Sequence, residues 1–176
     1  MGGRTGGLII PKPARVGLIA YAIAAVVVLS DQLSKAWILG AFDLPDKGSV
    51  EVLPIFHLSM VWNRGVSFGL LTAHNAVGRW LLVAFSLAVT GALAVWAWRM
   101  NRLLTAAAVG LVMGGAVGNN IIDRVRWGAV ADFLDFSRMG FPWVFNVADS
   151  AISVGVALLL LDSLTTPGAS PRGRSS

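Results

Sequence analysis

Apolar residues run almost unbroken along four stretches, residues 16–39, 76–98, 103–122 and 146–164, and in each they occupy every side of a helix rather than one stripe. A helix that is apolar all round needs lipid or a large core around it. Each stretch has about 20 residues, enough at about 1.5 Å per residue to cross a hydrocarbon layer of about 30 Å. The pattern predicts four transmembrane helices. A tight link joins the second and third, and two long polar loops, 40–75 and 123–145, make the other connections.

The first long loop reads "GSVEVLPIFHLSMVWNRGVSFGLL", rich in β-branched and aromatic residues and broken by Pro54 and Gly65, a composition of short strands rather than helix. A small β element on the membrane surface is expected there. Residues 1–15 and 165–176 are rich in Gly, Pro, Ser and Arg and predict flexible tails around one membrane domain over 16–164. The first span is too long for a cleaved secretory signal, and "SDQLSK" follows it where small residues would mark a cleavage site.

Composition agrees: 56% of residues are hydrophobic, 13% are charged and the mean hydropathy is +0.72. The formal charge of +5 comes with no basic run interleaved with aromatics, so nucleic acid is not an expected partner. The charge sets topology instead. Arg4, Lys12, Arg15, Arg99, Arg102, Arg172 and Arg174 fall in the tails and the tight link, while Lys47, Arg64, Arg124, Arg126 and Arg138 are spread over the longer loops. Positive residues favour the cytoplasm, which predicts both termini inside and the long loops outside. Cysteine is absent and the two histidines, His57 and His74, are not at ligand spacing, so neither thiol chemistry nor a zinc site is expected.

Eight of the nine acids lie in the outer loops or at the helix ends that meet them. Asp31 and Lys35, at i and i+4, read as an ion pair snorkelling to water. Asn63 and Gly65 in "NRGVSFG" suit either a turn, with positive φ at Gly65, or an extended strand that hydrogen-bonds a peptide. In "GGAVGNNIIDRVRWGAVADF", Asn120, Asp123 and Arg124 share a helical face, with Asp123 and Arg124 read as a pair tying off the helix end. Asp132 then sits among apolar neighbours. Asn146 is a natural N-cap with Asp149 at N3, a capping box at the start of the last span.

That cap accounts for Asp149 but not for Asp132. Two aspartates from separate segments near one interface can share a proton, one taking a proton from water while the other hydrogen-bonds a peptide carbonyl. Two other chemistries are open to these residues: an ion pathway through the buried acids, and a Ser-Lys hydrolase using Ser30 or Ser34 with Lys35. Acids near one interface rather than the midplane argue against the first, and side chains that point apart on a helix against the second. A purely structural membrane protein leaves every outer polar cluster unexplained.

From "DQLSK" through "NRGVSFG", "NIIDR" and "VADF" to "FNVADSA", the chain resembles the lipoprotein signal peptidases, or signal peptidases II, over nearly all of its hydrophobic length. The resemblance implies an all-α membrane protein of four transmembrane helices with a small extracytoplasmic β-cradle. It implies an aspartic endopeptidase of the bacterial cytoplasmic membrane that cuts diacylglyceryl-modified prolipoproteins just before the lipidated Cys at the outer face. It implies Asp132 and Asp149 as the catalytic dyad, with Asp31, Lys35, Asn63, Gly65, Asn120, Asp123, Arg124, Asn146 and Ala148 lining or supporting the site. No metal or cofactor is expected, globomycin is the expected inhibitor, and the chain is expected to work as a monomer among membrane lipids. The family usually carries Gly-Asn, two residues and then Asp-Arg, whereas "GNNIIDR" has one residue more. Counting back from Asp123 selects Asn120 as the matching amide. The substrate helix is expected to enter from the bilayer between spans three and four and the β element.

Overall fold

The computed structural model describes residues 15–65 and 76–165, so both predicted tails, apart from Arg15 and Thr165, and the segment after Gly65 lie outside the described residues. Among the described residues, four helices are long and apolar enough to cross a membrane: α1 (Arg15–Leu39), α3 (Ala76–Ala97), α4 (Leu103–Ala116) continued to Trp127, and α6 (Val147–Thr165). Their limits match the hydropathy pattern within a few residues, because length and apolarity set them. Chain direction alternates, so α1, α4 and their continuations end at the same side as α3 and α6 begin.

Close approach depends on missing side chains. A Cβ at Gly110 would stand 2.5 Å from Ala20 O and one at Gly114 2.7 Å from Ala24 O, so these two positions seat the α1 backbone directly on α4. Gly115 does the same for α6, where a Cβ would meet Ala148 O at 2.5 Å. α4 is therefore the centre of the bundle, packed on α1 and α6, while α3 rests on α1, α4 and the turn that follows α4. Ala20, Ala97, Met100, Ala106, Val109 and Met113 close the core at the end where Arg15 and Thr165 lie.

α4 does not continue as a regular helix. Residues Val117–Asp123 form a π-helical turn, followed by one α-helical turn, α5 (Arg124–Trp127). A π turn takes one residue more than the α turn it replaces.

At the far end sits a four-stranded antiparallel sheet in the order β1 (Ser49–Leu53), β2 (Phe56–Asn63), β3 (Val130–Asp135), β4 (Val144–Phe145). The first two strands are those expected from the first loop. β3 and β4, in the second loop, were not expected, nor was the short α2 (Leu44–Lys47). Ile38, Leu44, Leu58 and Phe133 form a second apolar cluster that pins the sheet to the end of α1.

Candidate active site

β3 and the start of α6 converge where the sheet meets the bundle, and each brings an aspartate. Asp132, on β3 opposite Val61 of β2, is 2% exposed. Asp149 stands in the first turn of α6, and the two carboxyls lie within reach of a shared proton. Together they line a cleft of about 790 Å³, walled by aromatic side chains from 136–145 and by Ser150, Ser153 and Val154 of α6. Burial, reinforced by the Asp149 carboxylate, pushes the Asp132 carboxyl up to about 7. Desolvation penalises the charged form, and a second carboxylate beside it adds to the penalty.

Asn146 joins the pair. Its Nδ2 donates to Asp132 Oδ1 at 2.6 Å and to Ala131 O at 3.3 Å, and its Oδ1 accepts from Asp149 N at 2.9 Å. Asp149 Oδ2 in turn accepts from Asn146 N at 3.2 Å, completing the reciprocal capping box that the sequence predicts. One residue thus caps α6 and fixes the Asp132 carboxyl. Asn63, at the end of β2, lines the cleft and also hydrogen-bonds Asp132. Its Oδ1 accepts from Gly65 N at 3.2 Å, as the turn arrangement expects, but Asn63 is itself the last residue of β2, paired with Val130, and Gly65 lacks the positive φ expected of it.

Lys35 and Asp31 are both wholly buried, which corrects the expected snorkelling pair. Lys35 Nζ contacts Asp31 Oδ2 at 2.8 Å, Asp123 Oδ2 at 2.6 Å and Asn119 Oδ1 at 2.7 Å, so three acceptors meet its three N–H donors. Each acceptor then reaches the site. Asp31 Oδ1 takes Ala148 N at 3.1 Å, beside Asp149; Asp123 Oδ2 takes Ala131 N at 3.3 Å, beside Asp132. Gln32, which the sequence did not single out, braces both acids through Nε2, at 3.1 Å from Asp31 and 2.8 Å from Asp123. A Cβ on Gly118 would fall 2.7 Å from Asp31 Oδ2, so glycine there leaves room for the carboxylate.

Asp123 therefore pairs with Lys35, not with Arg124 as expected. Arg124 is 4% exposed and directs Nε to Asn120 Oδ1 at 3.3 Å, with Asp132 near enough to act on its charge. The amide that reaches Asp149 is Asn119, whose Nδ2 donates to Asp149 Oδ1 at 2.7 Å, rather than Asn120. The adjacent residue faces the site because the π turn alters the helical register, which counting in α-helical steps cannot anticipate. Ala148, 0% exposed, packs its backbone against Gly115. That packing puts spans three and four in direct contact, while the part of α6 that lines the cleft, Ser153 and Val154, lies on another side of the helix.

A family model described as signal peptidase (SPase) II matches residues 23–165. The lipoprotein signal peptidase of Caulobacter vibrioides is 58% identical over 149 residues, covering 85% of this chain and 88% of the relative. That of Rhodopseudomonas palustris is 45% identical over 157 residues, covering 86% and 93%. Among solved structures, a bacterial membrane enzyme determined by the in meso method at 2.3 Å superposes with a TM-score of 0.74 at 28% identity, covering 95% of this chain and 99% of its own.

Proposed function

The chain belongs to the signal peptidase II family, and from that premise we propose that it is an aspartic endopeptidase that removes signal peptides from diacylglyceryl-modified prolipoproteins. Cleavage falls just before the lipidated Cys, at the outer face of the bacterial cytoplasmic membrane, with both termini in the cytoplasm. The observation that carries this reading is the meeting of Asp132 and Asp149 at one cleft, with the Asp132 carboxyl held near 7.

Asp149 accepts hydrogen bonds at both oxygens, from Asn119 Nδ2 and Asn146 N, which suits an ionised carboxylate. Asp132, pushed up by burial, holds the shared proton. Asp149 takes a proton from water as its oxygen attacks the scissile carbonyl, while Asp132 donates to the carbonyl oxygen. The resulting gem-diol gives a proton back to Asp132 as it collapses, and Asp149 passes its proton to the departing amine. The C–N bond breaks and the dyad returns to its single-proton state. The aromatic wall of the cleft offers an apolar surface to the lipid-bearing part of the substrate. The protein works as a monomer in this scheme, and globomycin competes for the cleft.

The test is cleavage of purified diacylglyceryl-modified prolipoprotein, read as a gel shift, by wild type, Asp132→Asn and Asp149→Asn at matched levels. Both variants are expected to lose cleavage, and globomycin to abolish it in wild type. Wild-type cleavage by either variant, or equal cleavage of unlipidated substrate, would overturn the reading.

A further inference from the structure

The π turn Val117–Asp123 has two asparagines side by side, and their amides go to different places. Asn119 is 3% exposed and bridges two charges: Oδ1 accepts from Lys35 Nζ at 2.7 Å and Nδ2 donates to Asp149 Oδ1 at 2.7 Å. Asn120 is half-buried and accepts from Arg124 Nε at 3.3 Å. The two flanks of the turn are fixed independently: on one side Gly114 and Gly115 lie against α1 and α6, and on the other Asp123 is bound to Lys35 and to Ala131 N. One residue too many for an α helix has been fitted between two anchored flanks, and a π turn is how a helix absorbs it without moving either.

We infer that Asn119 is a positioning residue for Asp149, carrying the buried Lys35 cation's hold onto that carboxylate, and that its neighbour Asn120 is the surplus residue that the π turn absorbs. The inference rests on the reading of Asp149 as a member of the catalytic dyad and deepens it. Asn119 Oδ1 is locked by a cation, so the amide cannot flip, and Nδ2 must point at Asp149. The carboxylate is then held with one oxygen on Asn119 and the other on Asn146 N, its orientation fixed before substrate arrives. The charged groups around this bridge are Asp31 and Lys35 of α1, Asp123 and Arg124 after α4, and Asp132 of β3.

The sequence permits an unusual experiment. Deleting Asn119 and deleting Asn120 give the same chain, with one Asn after Gly118, and in it an α turn can restore the amide to Asp149 with both flanks in place. Asn119→Ala keeps the chain length but loses the bridge. In reconstituted protein acting on lipidated prolipoprotein, Asn119→Ala is expected to lower kcat about 10- to 100-fold, the effect of losing a hydrogen bond to a charged group, with KM within about twofold. Asn119→Asp, which keeps an acceptor for Lys35 but loses the donor, is expected to fold and to lose kcat likewise. Asn120→Ala and the single-Asn deletion are expected to keep kcat within a few-fold of wild type. Asn119→Ala with wild-type kcat, or a deletion that is inactive or fails to fold, would overturn the inference. Asp149→Asn run in parallel separates the two claims: if it cleaves normally, the dyad reading fails, and if it is dead while Asn119→Ala is normal, only the positioning role fails.

Discussion

Asn146 donates to Asp132 Oδ1 at 2.6 Å while its own Oδ1 accepts from the backbone N–H of Asp149 at 2.9 Å, so a helix cap also ties one carboxyl to the other's backbone. Such a residue serves folding and chemistry together. Asn146→Ala removes a cap worth about 1 kcal/mol and leaves a buried carboxyl short of a donor. The expected result is a lower melting temperature in detergent and a kcat reduced by at least about tenfold. Asn146→Ser, which can still cap α6 but cannot reach as far, is expected to recover stability more than rate.

The raised Asp132 carboxyl predicts two pH effects. Its folded value of about 7 lies above the ordinary 3.8, so the folded protein binds the proton more tightly than the unfolded chain does. Stability from this group is complete below the ordinary value and falls as pH rises towards 7. Melting scans from about pH 4 to about pH 8 should show this decline in wild type and a smaller one in Asp132→Asn. In the same way kcat/KM should fall above about pH 7 as the shared proton is lost, with the apparent value belonging to the pair. A rate that keeps rising well above that point would contradict a proton held at Asp132.

Much of the fold and part of the site are legible in the sequence. The four spans follow from unbroken apolarity, and the capping box from Asn146 and Asp149 at their spacing. Asp132 stood out because a carboxylate among apolar neighbours needs a reason. What escaped was set by tertiary contact. Lys35 reads as a surface pair because i and i+4 spacing cannot reveal that Asp123 and Asn119 close over it. β3 is not legible in the sequence because its pairing partner, β2, lies far back in the chain. Counting in α-helical steps selects Asn120 rather than Asn119 because such counting fails across a π turn.

The buried cation gives a sharp stability test. Lys35 bridges Asp31 and Asp123, all three wholly buried, and removing one partner of such a cluster costs about 3 to 5 kcal/mol. Lys35→Met should yield little folded protein. Adding Asp123→Asn, which removes one of the stranded charges, should recover part of the folded yield without restoring the rate, since Asn119 would still lack its lock.

Packing distance at Gly115 predicts a contrast between two glycines. A Cβ there would sit 2.5 Å from Ala148 O and from Ile152 Cγ1, so α6 must shift at the turn that carries Asp149. Gly115→Ala should cost about 1 to 3 kcal/mol as overpacking and reduce cleavage. Gly91, with nothing within 4 Å of its added Cβ, should tolerate Ala and gain up to about 1 kcal/mol in melting stability.

The route of the substrate follows from which side of α6 is free. α4 and α6 are sealed by Gly115 against Ala148 and by Gly155, where a Cβ would stand 2.7 Å from Ala108 O. Among the described residues the opposite side of α6 is the open one, and a peptide leaving the bilayer is expected to pass there, where Ser153 and Val154 line the cleft and Val154 is 52% exposed. The chain has no cysteine, so single substitutions can be labelled cleanly. Val154→Cys carrying a bulky maleimide should lose cleavage of lipidated prolipoprotein, chiefly through KM. Leu87→Cys on α3, as exposed at 53% but away from the cleft, should keep it after the same labelling. If the Val154 adduct cleaves normally, the peptide does not reach Asp149 along that side.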